Sequence, residues 1–285
     1  MSKSVWNLTS EAVKYAKSRP SHPKQIVLNA VDYLKEKYTG DQCQAVDVGC
    51  GTGISTRNLY GHFQNVLGVD MSHAMVEQAQ QMGYHNSLRF MQASAEQLPV
   101  PDGSVQMVLV GRAIHYFNTE AFYRELRRVL VDNGVVCYYS VHFPSVTCPS
   151  DEAFGSHVHK TFWRYLQSEL NGYWPVNAYN KKVIDWDRHN YYVNVIPAPF
   201  AESKVDESVV VPRPVSLLKL TNELRTYSSF VTYSEREGEE KADMLLQRFV
   251  AECLEGEFKN KDIEAEDLVA LDRFFLVLSR FTLQE

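Results

Sequence analysis

Apolar positions along the chain follow two rhythms. From Lys24 to Lys37, residues Ile26, Val27, Ala30, Val31 and Leu34 share one face at helical spacing, which predicts an amphipathic helix. Short apolar runs then alternate with helical stretches. Strands are predicted at Ala45–Val48, Asn65–Asp70, Leu88–Gln92, Val105–Val110 and Gly134–Tyr139. Helices fall between them: one beginning near Ile54, one after the cap residue Ser72 with Met75, Val76, Ala79 and Met82 buried, and one with Phe122, Leu126, Val129 and Leu130 on a common face. Strand and helix in this alternation predict an α/β fold, a parallel sheet with crossover helices. Beyond Tyr139 the rhythm breaks. Residues 142 to 200 hold Trp163, Trp174 and Trp186 with scattered prolines, and read either as a cap over a pocket or as an outlying piece of core. Phe162, Trp163, Leu166 and Leu170 predict a helix there. A weak strand pattern returns at Val205–Val211, followed by helices at Leu217–Leu224 and Ala242–Leu254 and a buried strand at Phe274–Leu278. The acidic stretch from 235 to 272 reads as solvated helix faces.

Composition narrows the classes. With 285 residues and 45% apolar content, the chain can bury one large core or a core with a substantial insertion. Five scattered cysteines, none in a Cys-x-x-Cys pair, support neither a disulfide framework nor a zinc site, so no metal is expected. A net charge of −6 gives no electrostatic reason to bind nucleic acid. No apolar run reaches the ~18 residues of a membrane span. The N-terminus lacks the apolar core of a signal peptide, so a cytoplasmic location is expected. Near that end, two prolines punctuate Tyr15 to Pro23, which reads as a short arm.

The chemistry centres on Asp47-Val48-Gly49-Cys50-Gly51-Thr52-Gly53, where an apolar strand runs into three alternate glycines. Residues without Cβ let backbone press against a ligand. In the dinucleotide fingerprint the third glycine comes three residues after the second, and here it comes two after. Asp47 also stands where a pyrophosphate would be repelled and a cation welcomed. Both features point away from a nicotinamide dinucleotide and toward a sulfonium ligand. Asp70, at the carboxyl end of the second strand, is placed to accept both hydrogens of a ribose diol, a device nicotinamide enzymes share, and Met71 beside it to cover the adenine. Gly111 and Arg112 leave the fourth strand at the same crevice edge, with backbone there expected against the ligand's methionine part.

These residues resemble the class I S-adenosylmethionine-dependent methyltransferases, whose first motif matches residues 47–53 almost letter for letter. Ala93-Ser94-Ala95-Glu96-Gln97-Leu98-Pro99 is similar to the adenine-side loop of the small-molecule enzymes, although many relatives carry Asp at the position of Ser94. Arg112-Ala113-Ile114-His115-Tyr116-Phe117-Asn118 resembles a stretch of the trans-aconitate methyltransferase-like branch, with Tyr116 and Asn118 departing from its usual Trp and Asp. Tyr15, Arg19-Pro20 and Pro23 resemble that branch's N-terminal pattern. The resemblance implies a Rossmann-like, seven-stranded, mostly parallel sheet with helices on both faces and a C-terminal helical and aromatic cap. It implies an arm and helix over residues 1–40 acting as a lid, a cofactor-binding core at 41–140, an aromatic insertion at 141–200 and core-completing elements at 201–285.

The implied cofactor is S-adenosylmethionine, with S-adenosylhomocysteine as product, held by Tyr15, Arg19, Asp47, Gly49, Cys50, Gly51, Gly53, Asp70, Met71, Ser94, Ala95, Glu96, Gly111 and Arg112. The expected reaction is O-methylation of a small organic carboxylate or hydroxyl. His115 is the candidate base, since an imidazole with a pKa near ~6.5 suits a hydroxyl or thiol. An ionised carboxylate needs no base, and Arg112, Arg19 or Tyr15 would then anchor it. The substrate pocket is expected among Phe162 to Trp186 and Tyr227 to Phe230, where aromatic walls suit an apolar molecule, with packing of the insertion as the competing reading. C-methylation of a quinone-like ring, or a cofactor-binding partner protein without activity, are the alternatives. No Asn/Asp-Pro-Pro-Tyr segment is present, which argues against nucleic-acid amino methylation.

Overall fold

The computed structural model describes residues 22–81, 87–174, 193–194 and 196–284. In chain order the strands are β1 (Gln44–Val48), β2 (Asn65–Asp70), β3 (Leu88–Gln92), β4 (Val105–Gly111), β5 (Leu130–Val141), β6 (Ser145–Thr147), β7 (Glu202–Asp206), β8 (Val210–Val215) and β9 (Leu268–Arg280). The helices are α1 (Lys24–Lys35), α2 (His73–Gln81), α3 (Thr119–Val129), α4 (Glu152–Arg164), α5 (Leu217–Leu224), α6 (Ser228–Glu237) and α7 (Glu239–Cys253). The chain divides into two units, the first formed by residues up to 141 with 189–209 and 274–285, the second by 142–188 and 210–273.

The first unit holds the sheet that the alternating rhythm implies. Strands β3, β2, β1, β4 and β5 lie side by side and parallel. The last part of β9 pairs antiparallel with β5, and β7 pairs antiparallel with the free edge of that part. Among the described residues this makes seven strands, six running one way. Chain order reverses between β1 and β4, so their carboxyl ends flank the crevice where ligands of open α/β sheets bind. Side-chain alternation sorts the two faces. Val46, Val48, Val108, Val110, Val136 and Tyr138 join Phe122, Leu126 and Val129 of α3 in one buried cluster. Asp47 pairs in register with Leu109 and that residue with Cys137, so Asp47, Gly111 and Tyr139 share the opposite face.

Several expectations are corrected. The stretch after the glycine turn is a single short turn, Thr56–Leu59, because the Ser55 and Thr56 side chains are drawn back to Asp47 and the chain extends again at Tyr60. α1 packs on β4 and β5, with Ile26, Val27, Ala30, Val31, Tyr33 and Leu34 buried, and covers the sheet; the arm before it lies outside the described residues. The pattern at Val205–Val211 is two strands, β7 and β8, interrupted at residues 207–209. The last strand starts six residues before Phe274.

The second unit has its own core. Phe162, Tyr165, Leu166, Leu170 and Trp174 pack with Tyr227, Phe230, Leu245, Leu246, Phe249 and Cys253 in one buried cluster, and β6 and β8 pair with the first residues of β9. The insertion therefore does not end near 200: residues 210–273 belong with it, and only the segments around β7 and the end of β9 complete the first unit. Among the aromatic residues proposed as pocket walls, Phe162, Tyr165, Trp174, Tyr227 and Phe230 are buried packing of this unit, and Trp163 packs against it half-buried. Trp186 lies outside the described residues.

Candidate active site

The glycine turn shows why each glycine stands where it does. All three have positive φ, +71° at Gly49, +54° at Gly51 and +78° at Gly53. A Cβ on Gly49 would lie 2.5 Å from that of Ala113, and one on Gly53 would lie 2.6 Å from the Phe90 ring, so protein neighbours exclude side chains at both. A Cβ on Gly51 would meet nothing within 4 Å. Gly51 also lines a cleft, with His22, Gly49, Cys50, Thr52, Ile54, Ser55 and Gly111.

The turn's amides are turned inward. The Gly49 and Cys50 amides donate to the Val69 carbonyl at 2.8 and 3.0 Å, that of Gly51 donates to Asp70 Oδ2 at 2.9 Å, and that of Gly53 donates to the Cys50 carbonyl at 2.9 Å. A pyrophosphate site needs such amides directed at the ligand. Here they brace β1 against β2, which agrees with a ligand that is not a phosphate at this point.

Two acids border the turn. Asp47 is fully buried; its Oδ2 accepts from Ser55 Oγ at 2.8 Å and Thr56 Oγ1 at 2.6 Å, while Oδ1 has no hydrogen-bond partner among the described residues. Burial pushes this carboxyl up to about 6, the two hydroxyls pull the other way, and Asp70 adds to the rise. Asp70 is half-buried. Its oxygens accept the amides of Gly51 and Ser72, both at 2.9 Å, which aim the carboxylate and leave lone pairs for a diol. Burial raises its pKa, and those amides oppose the rise. Met71 beside it is 65% exposed, so its side chain is available to cover a flat ring.

The loop after β3 is fastened to α3. Ser94 Oγ donates to Glu96 Oε2, and Glu96 Oε1 accepts the Asn118 amide at 2.9 Å, so Glu96 ties the loop to the start of α3. Ser94 is thus engaged within the loop, and Ala95 between them is buried. Arg128 completes the anchorage, bonding Glu125, Asp102 and the carbonyls of Leu98 and Val100. Burial pushes the Glu125 carboxyl up, but Arg128 and the Leu98 amide outweigh it and hold the group below the usual range.

At the end of β4, Arg112 has φ +56°, a strained value for a residue with a side chain. The Gly111 beside it has no room for one, since a Cβ would lie 2.6 Å from the Tyr139 hydroxyl. Arg112 Nη2 approaches His22 Nε2 at 3.1 Å, and His22 Nδ1 bonds the Tyr139 hydroxyl. His115 lies three residues beyond Arg112 on the turn Ile114–Tyr116, its ring 4.1 Å from that of Tyr116, and is not among the residues lining the cleft. Tyr15 and Arg19 lie outside the described residues. Sequence reasoning missed His22, Tyr139, Ser55 and Thr56 as site residues. Two hydroxyls directly after a glycine turn that follows an acid were a usable signal. Nothing local linked His22 to Tyr139.

Sheet order and cleft together define an α/β protein with a ligand site at the switch between β1 and β4, the architecture of class I methyltransferases. The comparisons make it specific: residues 46–138 match the family model described as methyltransferase domain. The chain thus carries a methyltransferase domain over these residues, of the S-adenosylmethionine-dependent kind. It is 25% identical over 77% of its length to a Dictyostelium discoideum protein named only as a methyltransferase, covering 75% of that protein. It is 30% identical over 48% of its length to CRG1 of Saccharomyces cerevisiae, named as a probable S-adenosylmethionine-dependent methyltransferase, and spans 47% of it. A solved structure from Anaeromyxobacter dehalogenans, named as a type II methyltransferase, shares the fold with a TM-score of 0.67 at 20% identity, over 93% of this chain and 98% of the other. The residues present fit the cofactor: Gly51 lines the cleft with open space where a Cβ would stand, and Asp47 Oδ1 is a buried acceptor lacking a donor. Among the described residues no helix is long and apolar enough to cross a membrane.

Proposed function

We propose that this enzyme methylates a small organic acceptor at oxygen, with the acceptor held at the edge formed by the end of β4 and the turn carrying His115. Bound S-adenosylmethionine supplies an electrophilic methyl group and leaves as S-adenosylhomocysteine. The chain's own contribution is placement, since holding the reacting atoms in line accounts for most of the barrier reduction in such a transfer. Asp70 orients the ribose and Gly51 admits the sulfonium part. Asp47 offers a carboxylate in a site of low dielectric, where attraction to a cation is strong. His115 accepts the proton of a hydroxyl acceptor; a carboxylate acceptor arrives ionised and leaves His115 a positioning role.

The observation that carries this reading is the run of groups along one sheet edge: Asp70, the open face of Gly51, Arg112 and then His115 on its short turn. The segment from Arg112 to Asn118 supports the trans-aconitate-like branch, and the formal charge of −6 agrees with an acceptor other than nucleic acid. Incubating the protein with methyl-labelled cofactor and metabolite extracts tests it. The expected product is a small molecule labelled on oxygen, formed by His115→Ala at about a tenth of the wild-type turnover or less with cofactor affinity unchanged. Label on a ring carbon, or in macromolecules alone, overturns the reading.

A further inference from the structure

His22 sits immediately before α1 and is held twice. Its carbonyl accepts from Asn58 Nδ2 at 2.9 Å, and its ring lies edge-on to Tyr139, 5.5 Å between centroids. The ring's two nitrogens meet different partners, and that decides the tautomer. A guanidinium can only donate, so Nε2, 3.1 Å from Arg112 Nη2, accepts and carries no proton. The ring proton is therefore on Nδ1, which donates to the Tyr139 hydroxyl. Tyr139 and Asp47 share one face of the sheet, and Ser55 Oγ donates to Asp47 Oδ2 at 2.8 Å. Burial keeps the Tyr139 phenol protonated.

Arg112 thus donates to His22 and His22 to Tyr139, while Ser55 donates to Asp47. A cation ends the first set of bonds and a carboxylate the second, and His22, Ser55 and Gly111 line the cleft. The amino-acid tail of the cofactor carries a carboxylate and an ammonium, a pair of opposite sign. Arg112 is the cation adjoining Gly111 of the cleft wall, and its strained backbone is of the kind kept where a side chain must be aimed.

We propose that His22 is a positioning residue for the cofactor's amino-acid tail: it holds the Arg112 guanidinium beside the glycine cleft to receive the tail's carboxylate, while Asp47 at the glycine turn serves the ammonium. The proposal rests on the cofactor assignment. Calorimetric titration of the full chain with S-adenosylhomocysteine and with 5′-methylthioadenosine, which lacks the tail, tests it. His22→Ala weakens S-adenosylhomocysteine binding by about tenfold and leaves methylthioadenosine within about twofold. His22→Gln, whose amide offers an acceptor to Arg112 and a donor to Tyr139, restores most of the loss. Tyr139→Phe gives a smaller loss confined to the tailed ligand, and carries the test if His22→Ala does not fold. Equal loss on both ligands, no loss on either, or no rescue by glutamine overturns the proposal. A wild-type protein that binds neither ligand overturns the cofactor assignment instead.

Discussion

Asp47 illustrates how a single residue's position sets its chemistry. The sequence marked it as an acid before a glycine turn; folding surrounds it with sheet and gives it two hydroxyl donors on one oxygen only. Its carboxyl titrates near 6 in the folded protein, above the 3.8 of a free aspartate. Between those values the native state holds a proton that the unfolded chain has released, so this group's contribution to stability falls as pH rises from 3.8 to about 6 and levels off above. Asp47→Asn removes that dependence. In the ligand-free protein at pH 8 the variant is expected to be the more stable, by up to ~3 kcal/mol, with the gap about halved at pH 5. Urea denaturation of both proteins at the two pH values checks this, and a gap that stays constant contradicts it. The same variant should bind S-adenosylmethionine more weakly, as stability and function oppose each other at such sites.

Among elements, the glycine turn separates structural from ligand-facing roles. Gly49→Ala and Gly53→Ala add a clash to the strain of positive φ, whereas Gly51→Ala adds only the strain, ~1–2 kcal/mol. Thermal melts should therefore place Gly51→Ala nearest to wild type, while titration with S-adenosylhomocysteine shows it among the weakest binders because its methyl group enters the cleft. The reverse order of melting temperatures would mean that the turn is not packed as described. The helix expected near Ile54 did not form, because periodicity weighs apolar spacing and takes no account of a buried carboxylate competing for Ser55 and Thr56. The strands from β1 to β5 were legible because both faces of this sheet are covered, which leaves continuous apolar runs in the sequence.

At the scale of the molecule, two clusters of buried side chains serve two units. Phe249 is wholly buried in the second, its ring 5.2 Å from that of Tyr165. Phe249→Ala should cost ~3–5 kcal/mol there. Amide exchange should then quicken through α4, α5 and α7 more than through β1, β2 and β4, and uniform quickening would argue that the chain opens as one body. The aromatic insertion looked like pocket wall or packing with equal justice, since composition records how much apolar surface a segment carries and not what covers it.

The sequence by itself determined the order of strands and helices, the glycine turn and the acids beside it, because those features depend on neighbours within a few residues. Only the tertiary structure decided that β7 and the end of β9 complete the seven-stranded sheet, that 210–273 join the second unit, and that His22 meets Tyr139 across 117 positions. The physical reason is that periodicity tells which side of an element is buried, while its partner is chosen by the path of the whole chain. Arg112 and Asp47 each suggested chemistry alone; the fold joined Arg112 to His22 and Tyr139, and Asp47 to Ser55 and Thr56.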